Sequence, residues 1–236
     1  MKTTHLISAI ALVTGSVFAG TMPTTKMVPV DHIYSPIGFD SNDNTEVVLT
    51  GFLPNLCYKA QKADVNVDGT KVNVNMKALK YETTGYCVEM IVPFVESVGL
   101  GILDKGKYDI TVNGNTSLEK KGAIQVAEAT SDAIDDFVYA NVEYVERVEG
   151  TRKVLLKGHN PSDCFQKEEV KLVSNGADTF SVLPKMKQVS SFCPRKMVSF
   201  EWEVEVPNTV NADDVLLHVR CMDGKSVNAI FKNTEI

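Results

Sequence analysis

The nine residues Thr50–Tyr58, T-G-F-L-P-N-L-C-Y, return as Lys157–Phe165, K-G-H-N-P-S-D-C-F. Gly51, Pro54 and Cys57 become Gly158, Pro161 and Cys164 at a constant shift of 107. Each copy follows a β-branched, Leu-containing run, Val47-Val48-Leu49 or Val154-Leu155-Leu156. Further along, Asp68-Gly69 becomes Asn175-Gly176 at the same shift, Cys87 becomes Cys193 at 106, and Asn113-Gly114 becomes Asp223-Gly224 at 110. These dipeptides supply the positive-φ residues of two-residue hairpin turns. One such match arises by chance. A Gly, a Pro, two Cys and two turn dipeptides in the same order imply an internal duplication. The chain is expected to be two copies of one disulfide-stapled β-domain.

The duplication chooses the disulfides. Of five cysteines, Cys57, Cys87, Cys164, Cys193 and Cys221, each copy holds one equivalent pair, so the expected bridges are Cys57–Cys87 and Cys164–Cys193. Each closes a loop of about 30 residues, worth roughly 3–4 kcal/mol through the restricted unfolded chain. Cys221 has no counterpart. It shares a strand face with Val215, Leu217 and Val219 and is expected as a buried thiol, with an intermolecular disulfide or a reactive thiol as the alternative.

The pattern of residues 1–19 is that of an export signal: Lys2 in a short positive start, an apolar run from Leu6 to Val17, and the small-x-small site Val17-Phe18-Ala19. Export, periplasmic or to the outside, makes disulfides the default state of paired cysteines. No later segment reaches the apolar length of a membrane span. The net charge of −6 argues against nucleic acid and anionic membrane surfaces as partners, since both favour basic patches.

Along the chain, short alternating segments predominate and no stretch has a period of 3.6 residues. A first domain is expected over 27–127, an acidic flexible or briefly helical linker over 128–136 (E-A-T-S-D-A-I-D-D), and a second domain over 137–236. Met27–Tyr34 reads as an edge strand and Tyr86–Pro93 as a strand carrying Cys87. The Asp68-Gly69 and Asn113-Gly114 pairs read as hairpin turns. Met197–Val206 alternates Val198, Phe200, Trp202, Val204 and Val206 against Ser199, Glu201, Glu203 and Glu205, a strand with one apolar and one acidic face. In Asp214–Cys221, His218 and Arg220 fall opposite the Val219 face and are expected at the surface. Asp40, Asn42, Asp43 and Asn44 crowd one loop, but an EF-hand needs Gly where Thr45 stands and Glu where Gly51 stands, so a solvated turn is expected.

Paired strands with an intradomain disulfide, G-x-x-P-x-x-C corners and Asn-Gly or Asp-Gly turns resemble the Ig-like or fibronectin-III-like β-sandwich domains of secreted bacterial proteins. The resemblance covers roughly Met27–Ile236 and is architectural. The only Trp, Trp202, follows both cysteines of its copy, so the Cys…Trp…Cys order of immunoglobulin domains is missing. It implies an all-β protein of two tandem antiparallel sandwiches, each with one disulfide, and it transfers no functional residue.

Catalytic patterns fail in turn. His32, His159 and His218 have no H-x-x-x-H or H-E-x-x-H spacing, and G-x-S-x-G, phosphate-binding Gly loops and C-x-x-C are absent from the sequence. Glu201, Glu203 and Glu205 line one strand face, whereas glycoside hydrolysis needs carboxylates opposed across a cleft. The expectation is a non-enzyme with no cofactor and no metal, binding a protein partner through loops at the sandwich ends. The candidate contacts are Phe52, Leu53 and Leu56 in the first corner and His159 and Asp163 in the second. The alternative is an inhibitor or accessory protein of exported hydrolases, presenting a rigid Pro-containing disulfide loop.

Overall fold

The computed structural model describes residues 22–82, 85–132 and 135–233; the export-signal reading of residues 1–19 lies outside them. The first half holds β1 (Thr24–Met27), β2 (Val30–Tyr34), β3 (Phe39–Asp40), β4 (Thr45–Leu53), β5 (Tyr58–Ala60), β6 (Asp64–Asp68), β7 (Lys71–Asn75), β8 (Lys77–Lys80), β9 (Val92–Gly101), β10 (Gly106–Val112) and β11 (Lys120–Ala127). The second holds β12 (Val142–Arg147), β13 (Lys153–Asn160), β14 (Phe165–Ser174), β15 (Thr179–Gln188), β16 (Val198–Glu205), β17 (Asp214–Cys221) and β18 (Lys225–Lys232). The protein is all-β, as two sandwiches in series, and both expected disulfides are formed, Cys57–Cys87 and Cys164–Cys193.

The two halves share a strand plan. The sheet β2-β4-β9 has the order of β12-β13-β16, and β6-β7-β10-β11 has the order of β14-β15-β17-β18. Pairing is antiparallel apart from β7 with β10, β15 with β17, and the short β3 beside β11, which are parallel. The inward residues of the first half, among them Val47, Leu49, Val72, Ile110 and Val126, make one core. Val154, Leu156, Phe180, Val215, Leu217 and Val219 make the other. Burying each such side chain contributes about 1.5–3 kcal/mol.

The repeated glycine has a steric cause. Gly51 pairs with Val30 and Gly158 with Val142, and in both cases the partner strand shifts register within the next two residues. The bulged strand comes so close that a Cβ on Gly51 would lie 2.4 Å from the Pro29 carbonyl oxygen, and one on Gly158 2.1 Å from that of Asn141. Only glycine fits such a close backbone approach.

Three local expectations are corrected. Residues 86–91 are irregular and β9 begins at Val92. Cys87 is tied to Cys57, and the Val88 carbonyl accepts from the Leu56 amide, so this segment is pinned across the corner instead of joining a sheet. Asn113-Gly114 opens a longer connection, because β10 ends at Val112 and β11 starts at Lys120. Asn113 (φ 54) is buried there: its side chain donates to the Val28 carbonyl at 2.8 Å and accepts from the Met76 amide at 2.9 Å. Met27–Tyr34 is interrupted at Val28-Pro29, and the pieces, β1 and β2, belong to different sheets.

The largest correction concerns the second face of β17. Leu216, His218 and Arg220 are all buried, as is every residue of the strand from Val215 onwards. The first sandwich covers that face. Tyr34, Val48 and Leu216 form a separate buried cluster between the sandwiches, with Ile230 against it. Next to it His218 directs Nδ1 to Asn228 (2.9 Å) and Glu46 (3.3 Å), and Glu46 also accepts from Ser226 and Asn228. Beyond that Arg220 donates to Asp43, Asp135 and the Gly38 carbonyl. Thus Val48, Glu46 and Asp43 on one side meet Leu216, His218 and Arg220 on the other, in order. The acidic loop is therefore no solvated turn at Asp43, which is almost fully buried. Of residues 128–136, expected as a flexible or briefly helical linker, Asp135 holds Arg220 and Asp136 accepts from Thr130, Ser131 and Asn42.

Candidate binding cleft between the sandwiches

The zipper of β4 against β17 closes at the Asp43 end and opens at the other. Past Val48, the outer face of β4 continues through Thr50 to Phe52, while the second sandwich runs out at Ala212–Asp214, where β17 starts. The result is a cleft of about 940 Å3, at the upper end of the range for ligand sites. One wall is apolar: Phe52, Pro93, Phe94 and Val95, with Tyr34 and Ile230. Phe52 is opposite Pro93 in the β4–β9 register and keeps 46% of its surface exposed; Val95 keeps 52%.

The other side is acidic. Asp178, Asp213 and Asp214 line it with Lys232, and β2, in the sheet of β4 and β9, adds Asp31 and His32 to the lining. Asp214 pairs with Lys232 at 2.6 Å and Asp178 with His32 Nε2 at 2.6 Å, a contact that spans the two sandwiches. The side chains of Asp31 and Asp213 are exposed and have no partner among the described residues, although Lys120 donates to the Asp31 carbonyl. Burial, joined by the charges of Asp214 and Asp178, pushes the Tyr34 hydroxyl up to about 12. Burial alone acts to raise the Asp178 carboxyl, but hydrogen bonds from His32, Asn175 and Thr179 outweigh it and hold the carboxyl below its usual range.

The predicted contact residues separate. Phe52 is in the cleft. Leu53, 5% exposed, points into the first core, where an apolar anchor cannot reach a partner. Leu56 is 51% exposed, on the corner pinned by Cys57–Cys87, and Tyr86, Val88, Met90 and Ile91 of the neighbouring irregular segment are exposed as well. His159 lies 3.2 Å from Glu143 on the outer sheet face, and Asp163 pairs with Lys196 at 2.9 Å. The structure does not bring His159 and Asp163 together. The carboxylates of β16 form a surface ladder, Lys153 with Glu203 and Lys157 with Glu146 and Glu201, which has no opposed acid. Among the described residues, no group of three His, Cys, Asp or Glu side chains could hold a metal ion, and no helix is long and apolar enough to cross a membrane.

The cleft residues Asp31, Asp178, Asp213 and Phe94 went unnoticed in the sequence because they come from four separated segments. The usable signal is Asp213-Asp214 at the start of an apolar strand, two charges at the edge of a buried element.

The segment carrying Phe52 and the Pro93–Val95 wall has a known counterpart. Residues 47–121 match the ORF11 β-sandwich domain family. The match begins within β4 and ends in β11, so it supports a sandwich for the first half and leaves the cleft's carboxylates, Asp31 before it and Asp178, Asp213 and Asp214 after it, outside it. No curated protein and no solved structure matches the chain. The two disulfides point to an oxidising environment.

Proposed function

We propose that this chain is an exported, non-catalytic interaction module, built by duplication of one sandwich, that engages a protein partner through the surface around Phe52 and Leu56. The observation that carries the reading is the exposure of large apolar side chains at a corner that the Cys57–Cys87 bridge and the Leu56–Val88 hydrogen bond hold in place. Apolar anchors on a rigid frame lose little freedom on binding and concentrate the binding energy. The equal strand order of the two halves and the matched Gly51 and Gly158 bulges support duplication. The paired cysteines and the signal-like first residues support export, with the periplasm or the exterior as destination.

The reading is tested by crosslinked capture from the envelope of the source cell, wild type beside Phe52→Ala/Leu56→Ala. One dominant protein held by the wild type and lost by the folded variant supports it; equal recovery by both defeats it. The same Leu56 corner also suits the inhibitor reading, because it is an exposed apolar tip on a disulfide-pinned loop. Inhibition of an exported protease, lost in Leu56→Ala, distinguishes that role.

A further inference from the structure

We propose that the cleft between the sandwiches receives a basic side chain, Arg or Lys, presented by an extended segment of the partner protein. This rests on the interaction reading and adds the chemistry of what is bound. Three features of the cleft converge. Its volume of about 940 Å3 accommodates several side chains of a peptide. Its apolar wall, Phe52, Pro93 and Val95, is partly exposed and offers an aromatic face and aliphatic surface for the stem of a long side chain. Its lining also presents Asp31, from β2 beside β4, and Asp213, from the second half, whose carboxylates have no partner among the described residues, together with Asp178 and Asp214.

An acidic ligand would meet four carboxylates against Lys232 and His32. A purely apolar ligand would strip water from Asp31 and Asp213 without supplying a partner. A guanidinium or ammonium on an aliphatic stem satisfies both sides at once: the stem covers Phe52, and the head reaches the carboxylates. A cleft lined by one sign of charge also concentrates ligands of the other sign and speeds their arrival. The raised Tyr34 hydroxyl, to which Asp214 and Asp178 contribute, is consistent with a negative potential at the floor.

The probe is a fluorescein-labelled, acetylated and amidated peptide of alternating Gly and Arg, compared by anisotropy with the same peptide carrying citrulline in place of Arg. The Arg peptide is expected to bind the full protein and weaken with added salt, and the neutral, nearly isosteric citrulline peptide to bind at least about tenfold more weakly. Asp31→Asn/Asp213→Asn and, separately, Phe52→Ala should each weaken the Arg peptide by roughly five- to tenfold. All three positions are exposed, and thermal unfolding of each variant checks that the fold is kept. Equal binding of both peptides, or Arg-peptide binding that ignores the variants, overturns the proposal. If the envelope partner depends on Phe52 yet is indifferent to Asp31→Asn/Asp213→Asn, the basic-ligand proposal falls and the interaction reading stands. If the Arg peptide behaves as expected while no partner is captured, the proposal is supported and the envelope-partner reading falls alone.

Discussion

Arg220 closes its guanidinium on the carboxylate of Asp43, 177 positions away in the other sandwich, with Nη1 2.8 Å from Oδ2. Both side chains are almost fully buried, and Asp135 and the Gly38 carbonyl complete the guanidinium's bonds. Burial by itself lowers the Arg220 pKa, but the Asp43 and Asp135 contacts reverse that and raise it. Removing one partner leaves a buried charge uncompensated. Asp43→Ala is therefore expected to destabilise the protein by about 3–5 kcal/mol, read as a lower urea midpoint. A loss below about 1 kcal/mol, the size of an exposed pair, would show that this junction is open to water.

The interdomain carboxylates set an acid limit. Burial alone raises the Glu46 carboxyl, but hydrogen bonds and charge from His218, with bonds from Asn228 and Ser226, bring it below its usual value; Asp178 is lowered in the same sense. A folded pKa below the unfolded value gives stability that is present above the unfolded pKa, about 4 for carboxyls, and is lost as pH falls through the folded one. Asp135 runs the other way: burial raises it, and the neighbouring Asp43 adds to that against Arg220, so its ionised form costs stability as pH rises. The check is the melting temperature of wild type and Glu46→Gln from pH 7 to 3. The gap between them is expected to be widest near neutrality and to close below about pH 4. A gap that stays constant across the range would remove Glu46 from the acid response.

Gly51 and Gly158 should behave alike although they lie in different sandwiches. Each is opposite a bulged neighbour with a carbonyl oxygen inside any Cβ's contact distance, 2.4 Å for Gly51 and 2.1 Å for Gly158. The obstacle is backbone and cannot swing aside. Gly51→Ala and Gly158→Ala are each expected to cost about 1–3 kcal/mol or more, measured by chemical denaturation, whereas Gly85→Ala, with open space around it, should stay within about 0.5 kcal/mol. Equal effects at all three sites would mean that close approach is not why the corner carries glycine.

These glycines also mark how far a sequence can be read. The repeated G-x-x-P-x-x-C corner, the cysteine pairing and the alternation of β16 depend on neighbours a few residues away or on a strand's own two faces, and they were legible. What lay between the sandwiches was not. In β17, Leu216, His218 and Arg220 alternate with core residues as an exposed face does, and only the other sandwich buries them. A strand covered on both sides reads as a near-continuous apolar run, and His218 and Arg220 hid that signal because their partners, Glu46 and Asp43, are far off in sequence. The cleft was illegible for the same reason. The corner motif points to Phe52 as an anchor, but the Asp178 and Asp213 side of its surroundings follows from how the two sandwiches dock.

Cys221 gives a chemical test of that packing. It is buried and free, its Sγ 3.3 Å from the Val142 carbonyl, and burial pushes the thiol up to about 12. A thiol reacts through its thiolate, so at pH 8 the folded protein holds almost none of the reactive form and shields it from reagent. With the disulfides intact, the native protein is expected to release less than about a tenth of an equivalent of chromophore from Ellman's reagent over minutes, and one full equivalent on unfolding in urea. The protein should also run at the same size on non-reducing and reducing gels apart from the compaction due to its internal bridges, because a thiol packed among Val142, Val219 and the core of the second sandwich cannot reach a second chain. Fast labelling of the native state, or a dimer that disappears on reduction, would place Cys221 at the surface and reverse the assignment.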